Sequence, residues 1–218
     1  MLRLRWQWLS LTLFMSALVL TALSWSFNAV PPRQGVSRVL IDLIDLFSVY
    51  EEANLTTLFS GFCLLMVGGV LAWGALTTGE RTRAFLALVF VYLALDEWLA
   101  LHEISTNDLA ASNPLGLSGS AWILVFLPLA LGVALVALRW WWGLAHWLKV
   151  ALVLAVLLYL GGAVGLEVIQ DVLLVDVSRR TSMLFIHAEE LLEMLGAISL
   201  FSVLLRERVG DNLRLEVF

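Results

Sequence analysis

Six stretches of the chain stay apolar for roughly the 20 residues a helix needs to cross a bilayer. They run over about 7–29, 55–77, 84–103, 119–138, 148–170 and 183–205, and the polar joints between them leave no room for a soluble domain. The pattern predicts an all-α integral membrane bundle of six transmembrane helices, forming one domain over 1–218. The first run follows a basic start, "MLRLR", as a secretory signal also would. Its apolar length and poor small-residue cleavage pattern favour a retained transmembrane helix. After it, Pro31-Pro32 stops the helix, and Val36, Val39, Leu40, Leu43, Leu46, Phe47 and Tyr50 then recur at helical spacing opposite Arg38, Asp42 and Asp45. This predicts an amphipathic helix over about 36–50 lying in the membrane interface. In span five, Gly161 and Gly165 make a small-xxx-small pattern suited to close helix packing.

Composition agrees with the pattern. Hydrophobic residues make up 61% of the 218 and charged residues 14%, and mean hydropathy is +0.93, values outside the range of soluble domains. Lys and Arg should gather on the cytoplasmic side. With both termini inside, nine of the thirteen do so: Arg3, Arg5, Arg81, Arg83, Arg139, Lys149, Arg206, Arg208 and Arg214. Trp6, Trp8, Trp73, Trp140, Trp141, Trp142 and Trp147 fall near the same inner ends, where the indole favours the headgroup level. The formal charge of −5 and the lack of any basic block exclude nucleic acid as a partner. A single cysteine, Cys63, allows neither an intrachain disulfide nor a thiolate cluster.

Against this apolar background the acids are distributed unevenly. Glu51 and Glu52 precede span two, and Asp96, Glu97, His102 and Glu103 occupy the outer part of span three. Glu167 and Asp171 end span five, and His187, Glu189, Glu190 and Glu193 enter span six. On the expected topology all of them reach the outer half of the bundle. At 1.5 Å per residue, Asp96 lies about 18 Å and Glu193 about 15 Å into their spans. That depth separates them from the acids that merely complement a helix N-terminus, a role open to Glu189, Glu190, Glu51 and Glu52. Helical phase places Asp96 and Glu103 on one line with His102 beside them, while Glu97 points away from His102. Intramembrane acids face an interior or a wet cavity and have partners, yet the only nearby basic pair is Arg179-Arg180. Crowded carboxylates in low dielectric resist ionising together. Either a bound metal supplies positive charge, or some acids hold protons in a hydrogen-bonded network.

The segments "EEANLTTLFS", "LDEWLALHE", "GGAVGLE" and "EELLEMLG" resemble those of a family of uncharacterised bacterial multi-pass inner-membrane proteins. The likeness covers about residues 46 to 205. It implies that Glu52, Asn54, Asp96, Glu97, His102, Glu103, Glu167, Glu189, Glu190 and Glu193 belong to a family pattern, with His187 outside it and Thr56 where proline is commoner. It implies no reaction.

The expectation is a metal-binding protein of the bacterial inner membrane with a carboxylate and histidine site on its outer half. Oxygen and nitrogen ligands of this kind suit Fe, Mn or Zn. The expected ligands are Asp96, His102, Glu103, Glu190, Glu193, Glu52 and Glu167. In an enzyme, Glu97, His102 and Glu189 would carry the acid-base work beside the metal. The alternatives are a proton or cation pathway and an accessory subunit of a larger membrane complex. Candidate partners are the lipid bilayer, a membrane-soluble substrate, and further copies of the chain or such a complex. The Glu-x-x-His element of di-metal carboxylate bundles, His-Glu-x-x-His and Gly-x-Ser-x-Gly are all absent.

Overall fold

A computed structural model describes residues 6–28, 37–49, 54–102, 104, 120–173 and 177–210. Among them every regular element is helical: α1 (Trp6–Asn28), α2 (Arg38–Phe47), α3 (Leu55–Thr78), α4 (Arg81–Leu99), α5 (Ile123–Gly143), α6 (His146–Leu160), a π-helical turn (Gly161–Leu166), α7 (Glu167–Leu173) and α8 (Arg179–Val209). Four helices are long and apolar enough to cross a membrane: α1, α3, α5 and the continuous run from His146 to Leu173. The expected count of six is therefore not met on apolarity alone. The helices at spans three and six exist, but α4 carries Arg83, Asp96 and Glu97, and α8 carries Glu189, Glu190 and Glu193.

Local signals explain the boundaries. The Asn54 side chain accepts a hydrogen bond from Thr57 N at 2.8 Å and so caps α3, satisfying an amide that a helix start leaves unpaired. At the other end Gly79 adopts φ +72° and closes α3 with a bond to Ala75 O, the left-handed stop that glycine supplies without steric cost. α4 then returns along α3. Ser178 caps α8, accepting from Thr181 N, and starts that helix four residues before the expected span.

α3 and α8 form the centre. Their buried Leu64, Val67, Leu71, Met194, Ala197 and Ile198 meet Ala17 of α1, Ala87 and Ala94 of α4, and Ala155 of α6. Small residues set these distances: a Cβ on Gly68 would stand 3.2 Å from Ala87 O, and one on Gly61 would overlap the Trp98 ring. Apolar contact with lipid is no worse than contact with protein, so dispersion and close backbone approach hold such helices together. α5 lies at the edge, packing on α4 and exposing most of its leucines.

The small-residue pattern works differently from expectation. Nothing stands within 4 Å of a Cβ on Gly161, and one on Gly165 would meet only its own helix. A Cβ on Gly162 would lie 2.6 Å from Glu189 O and 2.9 Å from Glu193 Cγ. The π turn accounts for this, because one extra residue in the turn rotates the succeeding side chains relative to an ideal α-helix.

α2 is amphipathic as expected, and of its expected apolar stripe Val36, Tyr50 and the side chains of Leu40 and Leu43 lie outside what is described. Ile44 turns inward, whereas Val39 and Leu46 are exposed. The reason is its anchorage. Phe47 packs on Phe27 at 5.7 Å, and Ser48 and Val49 dock into a buried polar network on α1. There Ser24 Oγ accepts from Asn28 Nδ2 (3.2 Å) and Val49 N (3.1 Å) and donates to His187 Nε2 (3.0 Å), while His187 Nδ1 donates to Met183 O (2.8 Å). Both ring nitrogens of His187 are thus engaged within the fold.

Candidate functional site

At one end of the bundle, α4, α7 and α8 bring their acids together with His102. Glu193 lies within electrostatic reach of Glu97, Glu189, Glu190 and Glu167, and His102 within reach of Asp96, Glu97 and Glu167. Tyr159 of α6 borders the same group. These side chains are partly buried. None of Asp96, Glu97, Glu189 and Glu193 pairs with a described Lys or Arg, and Arg179 and Arg180 are exposed. The convergence of α4, α7 and α8 was legible in the sequence. The individual contacts were not.

The contact between His102 and Asp96 depends on a break in α4. Six residues apart on a straight helix, the two would point about 120° away from each other. α4 instead ends at Leu99, and Ala100 takes a left-handed conformation, φ +48°, with its N–H on Asp96 O. This corrects the expected uninterrupted span 84–103. The turn brings His102 Nδ1 to 3.1 Å from Asp96 Oδ2. Left-handed backbone is unfavourable for a residue with a Cβ, and such local strain gathers at sites where surrounding contacts over-determine the geometry.

Other acids have partners that the sequence pattern did not reveal. Trp122 Nε1 donates to Glu167 Oε1 at 2.7 Å, and the Trp122 ring meets His102 edge-on at 5.7 Å. Ser120 donates from both N (3.1 Å) and Oγ (2.8 Å) to Asp171 Oδ2. Gln170 Nε2 donates to Glu189 Oε2. Gln170, Ser120 and Trp122 carried no signal beyond their place near span ends, and Tyr159 none beyond its place in the middle of span five, because each acts across helices. Glu167, Glu189 and Asp96 therefore turn towards separate partners. Among the described residues no three His, Cys, Asp or Glu side chains converge in a way that could hold a metal ion. Glu52 and Glu103 lie outside the described residues.

Unsatisfied oxygens mark the inner wall of the site. Asp96 Oδ1 and Thr56 Oγ1 are buried with no hydrogen bond, and the Ser60 hydroxyl of α3 lies within hydrogen-bonding reach of the Glu97 carboxylate. Thr56 and Ser60 share a helix face and are fully buried. A buried polar atom left unpaired costs about 1–3 kcal/mol.

The model of a domain family of unknown function (DUF8692) matches residues 8–207. The chain belongs to that family. No curated protein and no solved structure matches it.

Proposed function

We propose that this chain is a multi-pass protein of the bacterial inner membrane whose acidic site takes up a cation on the outer side, with a divalent metal, Fe, Mn or Zn, as the leading occupant. In that reading α4 and α8 also cross the bilayer, giving six spans with both termini inside. Two facts support the spans. Arg83 and Asp96 of α4 and Glu189 and Glu207 of α8 turn towards protein partners. Arg83, Lys149, Arg206 and Arg208 each lie over a tryptophan ring, Trp140, Trp142, Trp6 with Trp147, and Trp73 respectively, at 5.1 to 5.9 Å. Such a belt of arginine and tryptophan suits one headgroup layer.

The observation that carries the functional reading is the charge imbalance at the acid end. Asp96, Glu97, Glu189 and Glu193 gather without a described Lys or Arg, and Asp96 Oδ1 has no partner. A metal would supply the missing positive charge and act as Lewis acid or redox centre. Asp96, His102, Glu190 and Glu193 are the proposed donors, with Glu52, Glu103 and Glu167 completing the set. Glu97 and Glu189 are the proposed acid-base groups if the site is catalytic, and its place in the membrane points to a membrane-soluble substrate.

The separate partnering of Asp96, Glu167 and Glu189 favours a second reading, in which protons rather than a metal neutralise the acids and move through the Asp96–His102 pair. Metal analysis by plasma mass spectrometry on gently purified protein separates the two. Near-stoichiometric Fe, Mn or Zn that disappears in Asp96→Asn and Glu193→Gln supports the metal. A well-folded wild-type sample without metal, together with proton movement in proteoliposomes that Asp96→Asn abolishes, supports the second reading.

A further inference from the structure

The opposite end of the bundle holds a cleft of about 620 Å³ between the start of α4 and the turn from α5 to α6. Its chemistry is the reverse of the acid site. Arg81, Arg83 and Arg139 line it. Arg83 is already engaged, donating from Nη1 and Nη2 to Glu207 at 3.0 and 2.8 Å and from Nε to Glu80 at 2.5 Å, so both acids in the wall are hydrogen-bonded, and three arginines against two acids leave the lining one positive charge in excess. Arg81 and Arg139 are exposed and make no ion pair among the described residues. The indole of Trp140 also lines the cleft, and its buried Nε1, which can only donate, has no acceptor.

Two helix starts border the same space. Neither Glu80 at α4 nor Ala145 at α6 caps its helix with a side-chain hydrogen bond, so first-turn amides of both helices lack a side-chain acceptor. Uncapped amides and the positive end of the helix dipole favour an anion. Two unpaired guanidiniums, an orphan indole N–H and two uncapped helix starts present donors, and the only acids present are already bound by Arg83.

We propose that this cleft binds a phosphate group through Arg81 and Arg139, at the end of the bundle opposite the acidic site. The surrounding tryptophans place it at headgroup level, where an anionic phospholipid can present its phosphate to a basic pocket between helices. Free inorganic phosphate shares that chemistry and is the other source. The inference stands independently of what the acidic site does.

The test uses the full chain in neutral detergent, titrated in parallel with short-chain phosphatidylglycerol, short-chain phosphatidylcholine and inorganic phosphate, with thermal stabilisation as the readout. Arg81→Gln/Arg139→Gln and Arg81→Lys/Arg139→Lys are compared with wild type. Both positions are exposed and unpaired, and an unchanged melting temperature without ligand verifies the fold. The expected result is tighter binding of phosphatidylglycerol than of phosphatidylcholine, weakened roughly 30-fold in the Gln pair and largely retained in the Lys pair. Binding of inorganic phosphate alone, with the same dependence on charge, assigns the site to free phosphate. Equal binding by wild type and the Gln pair, or no binding of either anion, overturns the proposal.

Discussion

The two ends of the bundle solve the problem of buried charge in opposite ways. Near the start of α4, Arg83 is only 5% exposed yet sits between Glu80 and Glu207, with the Trp140 ring beneath its guanidinium. Each of these charges has a partner within the chain. Near the end of α4, Asp96, Glu97, Glu189 and Glu193 have one histidine and no described arginine or lysine among them. The first arrangement is closed and structural. The second has no described Lys or Arg to offset its acids. Ion pairs close at hand serve architecture, whereas a charge left without a protein partner in a membrane is a sign of function.

Substitutions should separate the ends by magnitude and sign. Arg83→Gln is expected to have the largest effect, about 3–5 kcal/mol of destabilisation, because removing one member of a buried ion pair strands the others. Thermal or chemical unfolding in detergent measures it, and a loss well under 1 kcal/mol would mean that the inner cluster is not structural. Gly162→Ala comes next, at about 1–3 kcal/mol from overpacking against Glu189 and Glu193, with Gly161→Ala near neutral. Equal effects at the two glycines would contradict the phase imposed by the π turn.

Ser24→Ala should cost about 1–3 kcal/mol by leaving His187 Nε2 and Val49 N unsatisfied, read by the same unfolding assay. Ala100→Gly should go the other way, stabilising by up to about 1 kcal/mol since glycine accepts φ +48° freely. A destabilised variant would show that the left-handed turn is not strained. Glu193→Gln is expected to change stability least, being neutral or slightly stabilising in protein stripped of divalent ions by a chelator, because it removes one like charge from the cluster. A large loss there would make the acid end as structural as the basic one and would break the contrast.

Much of the architecture was legible in the residue pattern. The apolar runs located the helices to within a few residues at α1, α3 and α4, and the depth of Asp96 and Glu193 singled out the acid end before any contact was known. The four clearly apolar helices follow from composition alone. The charges in α4 and α8 that mark the site are also what remove those two helices from that count. His187 shows the limit of such reading. It stands outside the expected ligand set and both its ring nitrogens are satisfied, but that its partner is Ser24, far away in sequence, is not written in any segment.

Length, apolarity and charge placement are properties of a segment by itself, so the sequence determined an all-helical chain with helices apolar enough to cross a membrane. Tertiary structure alone decided which side chains meet. The left-handed turn at Ala100 brings His102 back onto Asp96, and the π turn sends Gly162, rather than Gly161 or Gly165, against α8. Both depend on a change of helical phase. A phase change of one residue leaves composition and hydropathy untouched while turning every later side chain by about 100°.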